Sequence, residues 1–109
     1  MADTETVIGI TKDGRIIVYF EQSGPSSYSA GGFDVSITSL RGVEKIIDLS
    51  SDGGYLLHPA KVSISGNTLT IPVYYHYFQC PVTCPVVGWE VTSGRDLSDY
   101  KFKGIVIGF

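Results

Sequence analysis

Two cysteines are the residues whose type and spacing best suit covalent chemistry. Cys80 and Cys84 flank the tripeptide Pro-Val-Thr at the tip of a predicted hairpin. Cross-strand Cα atoms ~4.5–5.5 Å apart suit a disulfide, which would stiffen this short loop more than it stabilises the whole fold. Such a bridge is typical of a protein that works outside a cell. Free or buried thiols are the alternative.

A metal site is the third possibility for the same region. His76 extends the pair to His-x3-Cys-x3-Cys, which supplies three ligands of the kinds that zinc accepts. His58 would be the fourth ligand. We predict no metal and no cofactor, and we keep His76, Cys80 and Cys84 as the alternative ligand set.

The residues needed for catalysis are sparse. A catalytic base must lie within reach of a nucleophile and be held in place by a third group. The histidines are His58, beside a proline, and His76, within an aromatic run. The aspartates lie at predicted turns, where they commonly cap backbone N–H groups. We therefore predict that the chain is not an enzyme.

Length and composition favour one small all-β domain over residues 1–109. Thirteen glycines and seven tyrosines accompany many Val, Ile and Thr residues, a composition typical of short strands and turns. The net charge of −3 includes no basic run that would bind nucleic acid or an anionic membrane. No segment approaches the ~20 apolar residues that span a bilayer. Residues 1–6 are polar, and we expect them to be flexible.

The segment Lys61–Phe78 contains the clearest hairpin. Gly66-Asn67 is a two-residue turn signal between alternating runs. Pairing Ser65 with Thr68 places Ile64, Ser63 and Val62 opposite Leu69, Thr70 and Ile71. One face of the long strand is then apolar: Leu69, Ile71, Val73, Tyr75 and Tyr77. The other face ends in the rings of Tyr74, His76 and Phe78, which we expect a loop, a second sheet or another subunit to cover.

Asp13-Gly14 indicates a second hairpin, between Val7–Thr11 and Arg15–Phe20. Pairing Lys12 with Arg15 would place Ile10 opposite Ile17 and make both faces of the ribbon apolar. Such a ribbon is usually enclosed between layers, and in a small domain the second layer can belong to a neighbouring protomer.

The remaining strand signals complete a predicted β-sandwich. It is jelly-roll-like, with roughly eight or nine short antiparallel strands. Val43–Leu49 also fits one or two helical turns, but its brevity and β-branched residues favour a strand. The further predicted strands are Phe33–Thr38, Val43–Leu49, Tyr55–His58, Val86–Thr92 and Lys101–Phe109.

Several motifs, read in order, resemble small virion structural proteins of tailed bacteriophages. The resemblance spans about residues 14 to 109 and departs at Gln79–Pro85. The motifs that carry it are Ser27–Gly32, Leu40 with Val43–Asp48, Ser51–Tyr55, Thr92–Ser98 and Gly104–Phe109.

This resemblance implies a capsid decoration, or cement, protein. Such a protein would bind the major capsid protein and itself, as a homotrimer or homodimer, on the surface of a virion assembled in the host cytoplasm. The candidate contact residues are Ile16, Val18, Phe20, Tyr28, Tyr74, His76 and Phe78. The alternative for these apolar faces is that both lie inside the sandwich.

A carbohydrate- or receptor-binding module of a phage tail or capsid is the alternative function. Trp89 and Tyr28 would then serve as stacking platforms for a ligand. Exposed coplanar rings beside a groove would favour this module, whereas aromatic residues buried at a subunit contact would favour a cement protein.

Overall fold

The computed structural model describes residues 2–75 and 90–109. This part of the chain forms two antiparallel sheets, which confirms the predicted all-β fold. None of its helices is long and apolar enough to cross a bilayer. Short 3-10 turns occupy Asp52–Gly54 and Pro59–Lys61. The strands are β1 Thr4–Ile10, β2 Ile16–Ser23, β3 Phe33–Ser36, β4 Val43–Ser51, β5 Ser63–Ser65, β6 Thr68–Ile71 and β7 Lys101–Gly108.

Sheet A contains four strands in the order β1-β2-β7-β4. The last strand along the chain, β7, therefore lies inside this sheet, and the prediction of a strand at Lys101–Phe109 is confirmed. Its residues alternate strictly between the two faces. Phe102 and Val106 are fully buried, whereas Ile105 and Ile107 are partly exposed on the opposite face.

Sheet B contains three strands in the order β3-β6-β5. Its β5–β6 hairpin has the predicted register, with Ile64 opposite Leu69 and Ser65 opposite Thr68. The predicted pair of Val62 and Ile71 lies outside the ladder. Val62 ends a 3-10 turn instead, and its N–H donates to the carbonyl oxygen of Pro59 at 3.2 Å.

The second strand of this hairpin, β6, is shorter than predicted. β6 ends at Ile71, where the next residue, Pro72, has no N–H to donate to a ladder. Beyond it, Tyr74 forms isolated bridges with Leu56 and Glu90. The predicted apolar face is buried as far as Tyr75, while Tyr77 and Phe78 lie outside the described residues.

The hydrophobic core lies between the two sheets, as in a sandwich. The ring of Phe33 on β3 meets the ring of Phe102 on β7 edge-on, with 4.9 Å between their centroids. Because both sheets contribute residues with no exposed surface, the inner face of each sheet is covered by the other. These residues include Val18, Phe20, Val35, Ile37, Leu69, Ile71, Phe102 and Val106.

The first hairpin differs from the prediction in its turn and its register. The Thr11 N–H donates to the Arg15 carbonyl oxygen at 2.8 Å, so the loop has three residues and Gly14 adopts a positive φ of 87°. Such a loop is a common alternative to a two-residue turn. Ile10 consequently pairs with Ile16 rather than Ile17, and a bulge follows at Ile8.

Residues 2–6, which the sequence predicts to be flexible, contact neighbouring segments of the chain. The Ala2 side chain is buried, and its N–H donates to the Ser36 carbonyl oxygen at 3.1 Å. The Asp3 carboxylate accepts a hydrogen bond from the Ser23 N–H at 2.8 Å. The start of the chain thus satisfies backbone groups of neighbouring segments.

The predicted strand at Val43–Leu49 is confirmed as β4, which runs on to Ser51. Its pairing with β7 shifts register twice, between Val43 and Lys45 and between Ile46 and Asp48. Each shift is a bulge that bends the strand. Of the predicted strand Tyr55–His58, the structure retains the Leu56 bridge.

We predict that Gly108→Ala destabilises the fold much more than Gly9→Ala. A Cβ atom at Gly108 would lie 2.0 Å from the Gly42 carbonyl oxygen, a backbone atom, whereas one at Gly9 would lie 3.5 Å from the nearest Ile17 atom. Overpacking of this kind costs about 1–3 kcal/mol of the free energy of unfolding. Urea denaturation of both variants measures the difference, and equal midpoints would contradict the packing described for β7.

Candidate interaction surface

The face of sheet A that points away from sheet B is apolar at its centre. Ile17 and Tyr19 on β2 lie opposite Ile107 and Ile105 on β7, and all four side chains are partly exposed. We call these four residues the outer face. A contiguous exposed apolar surface on a small protein commonly marks an interaction site.

Charged side chains border the outer face on the β4 side. Lys45 pairs with Ile107 in the ladder, and Asp48 pairs with Ile105. A positive and a negative side chain thus stand next to each other at this border. An apolar centre with a polar rim is the usual composition of a protein–protein contact.

Ionic groups at the end of the outer face neutralise one another. The Lys103 Nζ atom lies 3.4 Å from Asp52 Oδ1 and 4.0 Å from Glu21 Oε1. The Tyr19 hydroxyl donates to Glu21 Oε1 at 3.0 Å. The negative charge of Asp52 raises the pKa of Lys103. Exposed pairs like these add little stability, and with two carboxylates around one lysine they leave this end of the face with a single net negative charge.

The β1 strand presents a second apolar surface along the border of sheet A. Val7, Ile8 and Ile10 are 51%, 53% and 71% exposed, and within the described part of the chain β1 pairs with β2 alone. We call these three residues the β1 edge. Val7 and Ile10 pair with Val18 and Ile16 in the ladder, so their side chains lie on the side of sheet A opposite to the outer face.

Glu5 fixes β1 to the turn that follows β3. Its carboxylate accepts hydrogen bonds from the Thr38 N–H at 3.0 Å, the Thr38 hydroxyl at 2.8 Å and the Ser39 N–H at 2.8 Å. Burial raises the pKa of Glu5, but the hydrogen bonds from Ser39 and Thr38 outweigh it and hold the pKa below its ordinary value. The strand is thus anchored although its border is open.

The structure corrects part of the predicted contact set. Val18, Phe20 and Tyr28 are buried within the chain, and Ile16 packs against the core. Because Val18, Phe20 and Tyr28 have almost no exposed surface, the prediction that these three residues contact another protein is wrong. Alternation along β2 instead directs the Ile17 side chain to the exterior. Sequence reasoning did not name Ile17 as a contact residue.

Tyr74 remains a contact candidate at the other end of the molecule. Its ring is partly exposed. The Tyr74 ring centroid lies 4.9 Å from the His58 ring centroid and 5.0 Å from the Lys61 Nζ atom. The other predicted contacts in this region, His76 and Phe78, lie outside the described residues.

The cysteine chemistry predicted from the sequence also falls outside the described residues. This applies both to the disulfide candidate, Cys80 with Cys84, and to the alternative metal set that adds His76. Across residues 2–75 and 90–109, the structure contains no group of three or more His, Cys, Asp or Glu residues placed to hold a metal ion.

Tyr28 is a structural residue rather than a ligand platform. Its hydroxyl donates to Glu90 Oε2 at 2.6 Å and accepts from the Val73 N–H at 3.0 Å. The same Glu90 oxygen accepts from the Gly31 N–H at 2.5 Å. Burial and the hydrogen bond to Glu90 raise the pKa of Tyr28 well above its ordinary value. Its ring cannot stack on a sugar, and Trp89 lies outside the described residues.

An arginine–tyrosine cluster was not anticipated from the sequence. The Arg95 Nε atom donates to the Tyr55 hydroxyl at 3.1 Å, and the guanidinium carbon lies 5.5 Å from the centroid of Tyr75. Tyr55 also meets Tyr100 edge-on, with 5.0 Å between ring centroids. Because Tyr55 and Tyr75 are buried, this cluster holds the turn at Arg95 in place.

Comparison with known proteins identifies no relative. No protein-family model matches the chain, and neither a curated protein nor a solved structure matches it. The outer face and the β1 edge are therefore interpreted from their own geometry and chemistry.

We predict that Tyr28→Phe lowers the free energy of unfolding by about 1–3 kcal/mol, because the Val73 N–H would lose its partner in a buried site. Tyr19→Phe is the matched control, since its hydroxyl bonds to Glu21 at the surface, and we expect it to change stability little. Thermal or urea unfolding measures both variants. Equal effects would show that the buried Tyr28 hydroxyl contributes no more to the free energy of unfolding than the surface Tyr19 hydroxyl does.

We predict that Glu5 stabilises the fold at neutral pH and ceases to do so in acid. A depressed folded-state pKa gives stability that is complete above the ordinary value of about 4.3 and is lost as the pH falls through the folded pKa. The difference in urea midpoint between the wild type and Glu5→Gln should therefore be larger at pH 7 than at pH 2.5. A difference that does not depend on pH would refute this role.

Proposed function

We propose that this chain is a capsid decoration protein of a tailed bacteriophage, which binds the shell and strengthens it. The observation that carries the proposal is the outer face, an apolar surface on a rigid sheet. The order of sequence motifs that resembles small virion proteins supports the same class. We also propose that the strands of the sandwich are connected as in a jelly roll.

The size of the whole exterior side of sheet A, with the outer face at its centre, suits binding in many copies. Strand spacings of ~4.8 Å and a rise of ~3.3 Å per residue give four strands of about seven residues a footprint of about 450 Å². A stable interface buries roughly 800 Å² on each partner. One copy would therefore bind weakly, whereas linked copies on a repeating lattice gain avidity.

The proposed partners are the major capsid protein and further copies of this chain, in a homodimer or homotrimer. The proposed location is the capsid surface of a virion assembled in the host cytoplasm. The end of the outer face where Lys103 lies between Asp52 and Glu21 carries one net negative charge, which favours a protein partner over a polyanion. The proposal requires no enzyme activity and no cofactor.

Mass spectrometry of purified virions from the source of this chain tests the proposal directly. We expect a copy number comparable to that of the major capsid protein, because decoration proteins occupy repeated sites. A few copies per particle would indicate a tail component instead. Absence of the chain from purified virions would refute the proposal.

We predict that Ile105→Lys weakens attachment to capsid shells at least tenfold, because a charge would be desolvated at the centre of the contact. Asp48 neighbours position 105 in the ladder, which helps the folded chain to accept the lysine. Ile64→Lys is the matched control, since Ile64 is an exposed isoleucine on sheet B.

Co-sedimentation of each variant with undecorated shells measures this binding. Wild-type affinity for Ile64→Lys together with loss for Ile105→Lys would support the outer face as the attachment surface. Equal affinities for the two variants would exclude it.

A further inference from the structure

The two borders of sheet A differ in how they are protected against pairing with another strand. β4 carries two bulges and three charged residues, Glu44, Lys45 and Asp48. Bulges and charges are the usual means by which proteins keep an open strand from adding a neighbour. β1 carries one bulge, at Ile8, and a single charged residue, Glu5.

The one charge on β1 does not protect that border. The Glu5 carboxylate is already bound to Thr38 and Ser39, so it is held against its own chain. The β1 edge of Val7, Ile8 and Ile10 is the most exposed apolar run among the described residues. An apolar strand without projecting charges is a template for main-chain pairing.

We infer that β1 is a dimerisation strand, which pairs antiparallel with β1 of a second copy to form one eight-stranded sheet. The inference rests on the self-association in the proposed function and assigns it to a surface. Main-chain hydrogen bonds hold the two strands together, and the β1 edge residues of both copies pack against one another.

The distribution of charge along the N-terminal segment selects a second copy as the partner. Asp3 lies just before β1 and Lys12 begins the turn after it. Both side chains are exposed, although one Asp3 oxygen also accepts from the Ser23 N–H. A two-fold axis between Val7 and Ile8 places Asp3 opposite Lys12 of the other copy and Val7 opposite Ile8. Opposite charges that face each other at the two ends of the paired strands are favourable, whereas parallel pairing would bring like charges together.

This pairing also enlarges the attachment surface. The two-fold axis that relates two antiparallel β1 strands in one continuous sheet is perpendicular to that sheet. Rotation about this axis leaves the outer faces of both copies on the same side of the eight-stranded sheet. Their combined footprint is about 900 Å², by the strand spacings used above. That area reaches the roughly 800 Å² per partner of a stable interface, which one copy does not.

Sedimentation of the full chain between about 1 and 200 µM tests the inference, with dimers expected in this range. Ile8→Lys should weaken dimerisation at least tenfold. Ile47→Lys is a closely matched control, because Ile47 is 50% exposed and also sits at a bulge, on the opposite border. A monomeric wild type, or equal weakening by both variants, would overturn the inference.

A charge exchange tests the orientation of the two strands. Asp3→Lys and Lys12→Glu should each be monomeric alone, since each places like charges opposite one another at both ends of the paired strands. Mixed together, they should form heterodimers, because every pair is then opposite in sign. Circular dichroism verifies that each variant is folded. Failure of the folded variants to associate on mixing would overturn the antiparallel arrangement.

These outcomes separate the inference from the proposed function. A chain that is abundant on purified virions but monomeric in solution and unaffected by Ile8→Lys refutes the dimer alone. A chain that dimerises through β1 but is absent from virions refutes the decoration function alone.

Discussion

The structure depends on the close approach of neighbouring segments to β7. A Cβ atom at Gly104 would lie 2.6 Å from the Phe20 ring, and one at Gly108 would lie 2.0 Å from the Gly42 carbonyl oxygen. The glycines therefore leave room for an aromatic ring and a backbone segment against the strand. Because β7 pairs with β2 on one side and β4 on the other, any displacement of β7 would disturb the whole of sheet A.

In the described part of the chain, the two sheets cover each other on their inner sides, and no third layer covers their outer sides. The three strands of sheet B cover the inner face of sheet A, but the outer face gains no such layer from the described residues. Ile17, Ile105 and Ile107 therefore remain partly exposed, at a free-energy cost of about 25 cal/mol per Å² of apolar surface in water. A shell or a second protomer would remove that cost, which is why the proposed function and the dimer follow from the same architecture.

The sequence determined the β5–β6 hairpin because a two-residue turn and strict alternation allow one register. It did not determine the first hairpin, since Asp13-Gly14 can close a loop of two or three residues. Alternation also shows which residues share a face without showing which face is the core, and both faces of β2 are apolar. Sequence reasoning therefore assigned Phe20 to a contact, although the Gly104 position that receives its ring was a usable signal. The Tyr28–Glu90 bond joins residues 62 positions apart, which no local pattern could reveal.

The attachment of Tyr28 has a consequence for how this protein can change. One buried ring and its hydroxyl bond hold the loop before β3, whereas Ser26, Ser27 and Ser29 are exposed around it. Substitutions at these serines would alter the external appearance of the protein without touching the anchor. The exposed serine positions of this loop are thus suited to substitution and to the grafting of a foreign epitope.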